Sequence, residues 1–223
     1  MIEEYVKTND PDVNRDPRVP LVLLLDTSSS MEGEKIAQLN AGLHVLRDAL
    51  MEDPYAQRRV DLAIVTFGGT VATATPFTMA PEFDPPMLSA AGNTPMGTAI
   101  LQGIDIALGR LAYYQNHKLP KAFVPWVFLI TDGEPTDSYE RAAARVRQLD
   151  SGERPQLQFF AVGVDGANMR KLAEISRRPP VMLNGVNFRD FFLWLTISLS
   201  RVSQTQTGVS IQTPAVTFGT VYA

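Results

Sequence analysis

Residues 19–30 read VPLVLLLDTSSS, an almost wholly apolar run that ends abruptly in small polar residues. A run of this kind predicts a strand buried on both faces, as in a parallel sheet that helices cover on both sides. From residue 34 the pattern changes, because apolar residues recur at helical spacing and predict an amphipathic helix over 34–52. Asp53-Pro54 is expected to end this helix, since the residue before a proline disfavours helical backbone.

The alternation of strands and helices continues along the chain. Further strands are predicted at 60–69, 70–79, 124–133, 156–164 and 180–184, and further helices at 97–115, 138–150, 168–176 and 187–202. Strands that alternate with helices imply right-handed crossovers and an α/β fold with a doubly wound, mostly parallel sheet flanked by helices. In such sheets ligands bind at the carboxyl ends of the strands, near a topological switch point.

The length and composition favour a single large domain. The chain has 223 residues, 45% of them hydrophobic, which suffices for the core of one α/β domain but not comfortably for two. We expect an irregular N-terminal arm at 1–18, the domain at 19–202 and a C-terminal tail at 203–223. The tail is rich in Gln, Thr and Val, and is expected to be extended or disordered, or to add a strand.

The charge and hydropathy of the sequence argue against two classes of binding partner, nucleic acids and membranes. The net charge is −4 and the basic residues are scattered, so the sequence lacks the basic face that nucleic-acid binding requires. No apolar run approaches the ~20 residues that span a bilayer. The N-terminus lacks the basic segment followed by an apolar segment that is typical of a signal peptide. There is no cysteine, which excludes disulfides and thiolate ligands and is compatible with a reducing compartment. We therefore expect a soluble, cytoplasmic protein that binds neither nucleic acid nor membrane.

Three polar clusters follow or precede predicted elements at positions that this fold would bring together. They are DTSSS at 26–30, GNTP at 92–95 and TDGE at 131–134. Each cluster alone is an ordinary turn or helix cap. Jointly they offer carboxylate and hydroxyl oxygens, and such hard ligands suit Mg²⁺, Mn²⁺ or Ca²⁺ better than zinc or copper.

The order and spacing of these clusters resemble the metal-ion-dependent adhesion site (MIDAS) of von Willebrand factor A domains, over roughly residues 19–202. The metal residues that the resemblance implies are Asp26, Ser28, Ser30, Thr94 and Asp132. By that resemblance the two serines coordinate the ion directly, the threonine joins them when ligand is bound, and the two aspartates act mainly through water. The ion, most simply Mg²⁺, would then offer replaceable positions to an Asp or Glu carboxylate of a partner protein.

A finer likeness concerns the LLLDTSSSM, GNTPMG and LITDGEPTD segments, which resemble the bacterial TerY-like group associated with tellurium resistance. This resemblance implies a role in bacterial stress signalling, with a protein kinase and a phosphatase as partners.

Two alternative functions remain beside a non-enzymatic binding module. A metal-assisted hydrolase or phosphatase would need a general base or a second ion, and no histidine lies near the three clusters. Glu134, the last residue of the third cluster, lies close enough to influence the charge of the ion, and a solvent-facing role is an equal alternative. The chain could also be a kinase substrate or scaffold with a phosphorylated tail, whose acceptors would be Thr205, Thr207, Ser210 and Thr213.

Overall fold

The computed structural model describes residues 14–205 and 215–222, which form one sheet with helices on both faces. The strands are β1 (Val19–Asp26), β2 (Val60–Gly68), β3 (Thr70–Met79), β4 (Trp126–Thr131), β5 (Gln158–Gly163), β6 (Val181–Leu183) and β7 (Gly219–Val221). The helices are α1 (Glu34–Glu52), α2 (Pro54–Arg59), α3 (Met96–Asn116), α4 (Glu140–Leu149), α5 (Met169–Ile175) and α6 (Phe188–Ser203). Short 3₁₀ turns lie at Ser29–Met31 and Ala80–Glu82.

The strands lie in the order β3-β2-β1-β4-β5-β6-β7. The five inner strands are parallel, and the edge strands β3 and β7 are each antiparallel to their neighbour. The predicted doubly wound, mostly parallel sheet is therefore confirmed. The chain leaves β1 towards β2 on one side and later returns as β4 on the other, so the switch point lies between β1 and β4.

Strand β1 is apolar throughout because its two faces serve two different cores. Leu21 and Leu23 pack in the core that α1 and α6 cover, whereas Val22 and Leu24 pack in the core beneath α3, α4 and α5. Every residue of β1 is buried. Successive strand side chains point to opposite faces, so a central strand covered on both sides shows an unbroken apolar run and no alternation.

Aromatic side chains of α6 fill the core that α1 and α6 cover. Phe191 and Trp194 pack against Phe218, with ring centroids 5.2 and 5.1 Å apart. The segment that leads into β7 thus contributes a buried side chain to the core, and β7 itself adds a strand to the sheet, which is one of the alternatives predicted for the tail. In the part of the chain that the structure describes, no helix is both long and apolar enough to cross a membrane.

Two features lie outside the sequence prediction. Helix α2 follows α1 directly, because the Asp53 carboxylate accepts hydrogen bonds from the backbone of Tyr55 and Ala56 while Pro54 takes the first helical position. Residues 14–18 pack against the domain, since the buried Arg18 guanidinium donates to the carbonyl of Arg58 and to two nearby carbonyls.

The proposed phosphorylation sites are only partly within the described residues. Thr207, Ser210 and Thr213 lie outside them. The hydroxyl of Thr205 donates a hydrogen bond to the carbonyl of Val202 at the end of α6, at 2.8 Å. Phosphorylation of the tail stays a prediction.

The contact between α1 and α6 yields a test of the packing. A Cβ added at Gly42 of α1 would lie 2.7 Å from a ring carbon of the buried Phe192. We expect Gly42→Ala to lower the free energy of unfolding by about 1–3 kcal/mol, because the ring has to move within a packed core. The matched change Gly109→Ala in α3, where nothing lies within 4 Å, should raise it by about 0.5–1 kcal/mol through helix propensity. Equilibrium urea unfolding measures both, and equal stabilisation of the two variants would contradict the packing.

Candidate metal centre

The side chain of Asp26 is fixed where β1 and β4 end beside each other. Its Oδ2 accepts a hydrogen bond from the hydroxyl of Thr131 at 2.5 Å, and its Oδ1 accepts one from the backbone N–H of Ser28 at 2.8 Å. The Thr131 hydroxyl in turn accepts from the backbone N–H of Gly133 at 3.1 Å. The carboxylate is therefore held in one orientation by both loops.

Asp26 has no exposed surface. Burial raises the pKa of this carboxyl, and the charge of Asp132 raises it further, whereas the hydrogen bonds from Ser28 and Thr131 act in the opposite direction. A cation placed beside the two aspartates would stabilise their ionised forms.

The two serines connect Asp26 to the second aspartate. The hydroxyls of Ser28 and Ser30 lie 3.0 Å apart, and the Ser30 hydroxyl donates to Oδ1 of Asp132 at 2.6 Å. Ser28 and Asp132 are buried, whereas Ser30 is exposed. The cluster is thus open to solvent on the side of Ser30.

Thr94 reaches the same cluster because its loop is bonded on both sides. The backbone N–H of Ser29 donates to the carbonyl of Gly92 at 2.9 Å. The N–H of Thr94 donates to the Thr136 hydroxyl at 3.0 Å, and the N–H of Thr136 donates to the Thr94 carbonyl at 2.9 Å. Gly92 has a φ of +77°, and a Cβ there would lie 2.5 Å from the Cα of Gly69, so only glycine fits this approach of two loops.

The oxygens of the cluster face a common point beside Gly133. A Cβ built on Gly133 would lie 3.5 Å from Oγ1 of Thr94, 3.7 Å from Oγ of Ser30 and 3.8 Å from Oδ2 of Asp26. Ser28 and Asp132 join this group through their hydrogen bonds with Ser30. The structure therefore brings all five predicted metal residues together. A space bordered by hydroxyl and carboxylate oxygens fits a hard divalent cation.

Comparison with known proteins assigns the chain to a family. A family model for the von Willebrand factor type A domain matches residues 21–193. The chain belongs to that family.

Relatives of this von Willebrand factor A (VWA) domain are distant and longer. Matrilin-3 of Homo sapiens is 28% identical over 165 residues, which are 71% of this chain and 32% of matrilin-3. Inter-alpha-trypsin inhibitor heavy chain H1 of Bos taurus is 27% identical over 148 residues, 64% of this chain and 16% of that protein. The chain thus spans less than a third of the length of these curated relatives.

A solved structure shares the fold. Proximal thread matrix protein 1 from the mussel byssus, in a form with a zinc-occupied MIDAS motif, superposes with a TM-score of 0.58 at 17% sequence identity. The superposition covers 83% of this chain and 48% of that one.

Within this VWA domain the predicted influence of Glu134 on the ion has no support in the geometry. Its carboxylate accepts a hydrogen bond from the Asn168 side chain at 2.7 Å and pairs with Lys171 at 3.2 Å, and both contacts lower the pKa of Glu134. The side chain is therefore directed towards α5. Among the described residues, no group of three or more His, Cys, Asp or Glu side chains could hold a further metal ion.

Three residues that position the centre were not among the predicted ones. Thr131 orients Asp26, as described above. Lys35, in the first turn of α1, places its Nζ 2.5 Å from Oδ2 of Asp132. Asp137 accepts hydrogen bonds of 2.7–2.8 Å from the backbone of Gly97 and from the backbone and hydroxyl of Thr98, at the start of α3.

No local sequence pattern marks Asp137, and its role follows from the start of helix α3 in the structure. Helix α3 begins after Pro95, whose side chain makes no capping hydrogen bond, so the first N–H groups of the helix need an acceptor from elsewhere. The Asp137 carboxylate meets that need from the loop after β4. It thereby joins the loop of Asp132 to the helix that follows Thr94.

Removing this cap should loosen the frame of the centre. We expect Asp137→Ala to cost about 1–2 kcal/mol of folding free energy, because helix α3 loses its capping acceptor. The metal affinity should fall as well, since Thr94 precedes this helix. The control is Asp105→Ala, which breaks an exposed ion pair between α3 and Arg145 of α4 and should cost less than about 1 kcal/mol. Thermal unfolding and Mn²⁺ titration by calorimetry measure the two effects, and indistinguishable variants would refute this role.

A methyl group at Gly133 should test the shared cavity directly. The added Cβ would make only ordinary van der Waals contacts with Thr94, Ser30 and Asp26, so Gly133→Ala should fold normally. It would occupy space that the oxygens of the centre border, and we expect the affinity for Mg²⁺ or Mn²⁺ to drop at least about tenfold, or ~1.4 kcal/mol. Calorimetric titration measures this, with Gly109→Ala as the control glycine. Unchanged affinity in Gly133→Ala would show that the ion lies elsewhere.

Proposed function

We propose that this VWA domain is a metal-dependent protein-binding module that recognises an acidic residue of a partner protein. Ser28, Ser30 and Thr94 would hold the divalent cation, Mg²⁺ first and Mn²⁺ or Ca²⁺ as alternatives, with Asp26 and Asp132 behind them. The observation that carries the proposal is the convergence of these hydroxyl and carboxylate oxygens beside Gly133, in a cluster that is open at Ser30.

The ratio of neutral to charged ligands favours docking. Three of the five side chains are uncharged hydroxyls, so the bound ion would keep positive charge and replaceable positions for an incoming carboxylate. The two aspartates are already engaged by Ser28, Thr131, Ser30 and Lys35, which fixes their orientation.

The same geometry offers little for hydrolysis. A metal-assisted hydrolase requires a general base or a second ion. His117 lies at the end of α3 remote from the centre, and His44 lies about 15 Å along α1 from the start of that helix. We therefore propose a non-catalytic role.

The cellular setting is a finer proposal that rests on sequence segments alone. We propose a bacterial, cytoplasmic protein of the TerY-like group that works with a protein kinase and a phosphatase in stress or tellurium-resistance signalling. Its support is the likeness of LLLDTSSSM, GNTPMG and LITDGEPTD to that group, together with the lack of cysteine. Cell fractionation and co-purification with the kinase and phosphatase encoded by the same organism test this setting.

The binding function is tested by metal dependence. Immobilised wild type should capture its partner from lysate of its own organism in Mg²⁺ but not in chelator. Ser28→Ala should lose both this capture and at least about tenfold in Mg²⁺ affinity. The control Ser151→Ala removes an exposed hydroxyl that donates a hydrogen bond to the carbonyl of Gln148, and should retain both.

The captured protein is then identified and retested after exchange of its acidic contact residues for amides. Loss of capture supports recognition of a carboxylate. Capture that ignores both chelator and Ser28→Ala would refute the proposal, and so would capture that survives every exchange in the partner.

A further inference from the structure

A lysine stands at the rim of the candidate metal centre. The Nζ of Lys35 lies 2.5 Å from Oδ2 of Asp132 and 3.4 Å from the carbonyl oxygen of Ser30. The Lys35 side chain keeps 24% of its surface exposed, whereas that of Asp132 keeps none. The ammonium group therefore lies between a buried metal residue and solvent.

The two oxygens of Asp132 have different partners. Oδ1 faces the hydroxyl of Ser30, and Oδ2 faces the ammonium of Lys35. The loop after β5 confines the lysine from a further side, since a Cβ on Gly166 would lie 3.7 Å from Nζ and 3.2 Å from the Asp132 carbonyl. Gly166 has a φ of +98°, which favours glycine at this close approach.

Lys35 changes the charge of the centre. Asp26 and Asp132 supply two negative charges, and Lys35 offsets one of them. Glu134 does not replace the negative charge that Lys35 offsets, because the Glu134 carboxylate pairs with Lys171. A positive charge this close repels a divalent cation and attracts a carboxylate.

We infer that Lys35 is a specificity-determining residue that lowers the metal affinity of the centre and adds a second positive charge for the carboxylate of the partner. The inference rests on the proposed function. With an ion bound, the two aspartates, the lysine and the ion together carry a net positive charge. Without the lysine they would be neutral. The lysine thus shifts the centre from retaining the ion towards receiving an anion.

The test compares Lys35→Gln, which keeps a hydrogen-bond donor towards Asp132 without the charge, with Lys35→Arg, which keeps the charge. Lys35→Met is a second neutral variant, and Lys121→Met removes an exposed lysine that precedes β4, at the opposite end of that strand from Asp132. Circular dichroism establishes that each variant is folded. Calorimetric titration with Mn²⁺ alone gives the metal affinity, and NMR titration of the Mn²⁺-free, Mg²⁺-saturated protein with acetate gives the carboxylate affinity.

We expect Lys35→Gln and Lys35→Met to bind Mn²⁺ about tenfold more tightly and acetate several-fold more weakly than wild type. Lys35→Arg and Lys121→Met should match wild type in both titrations. Metal affinity that is unchanged or weaker in the neutral variants overturns the inference, and so does unchanged acetate affinity. If neither wild type nor the neutral variants bind Mn²⁺, the proposed function fails as well. If only the neutral variants bind it, the inference stands.

Discussion

The parallel pairing of β1 with β4 is the constraint on which the candidate centre depends. It brings Asp26 and Thr131, 105 positions apart in the chain, to hydrogen-bond distance at the carboxyl ends of these two central strands. A buried carboxylate without partners would be costly, so the hydrogen bonds to Asp26 are a condition of placing it there. The loops that follow β1 and β4 inherit their positions from this contact.

The remaining loops are then fixed by bonds between one another and not only by the sheet. The loop of Thr94 is bonded to Ser29 on one side and to Thr136 on the other, and Asp137 joins the loop after β4 to the start of α3. These bonds join groups of the chain itself and hold the loop of Thr94 against the loops that follow β1 and β4.

Most of the fold and the clustering of the five candidate metal residues could be predicted because their signals are local. An apolar run such as β1 or a helical stripe such as that of α1 is visible within one window of sequence. The metal residues occur in short motifs at strand and helix ends. The contacts of Lys35 with Asp132, of Asp137 with Gly97 and of Thr131 with Asp26 span 97, 40 and 105 positions, so no local pattern records them. The core role of Phe218 was missed for the same reason, since its partners lie on α6.

The charge balance of the centre links its construction to its proposed use. A site rich in carboxylates would bind a divalent ion tightly and leave it little charge to offer. Here the centre has two carboxylates beside three neutral hydroxyls, and one of the carboxylates, that of Asp132, forms an ion pair with Lys35. Burial of Asp26 and exposure of Ser30 place the negative charge behind the site and the neutral ligand in front. With an ion bound, a partner carboxylate that approaches past Ser30 would meet the positive charge of the ion before the negative charge of the aspartates. This order is the electrostatic condition for docking an acidic residue.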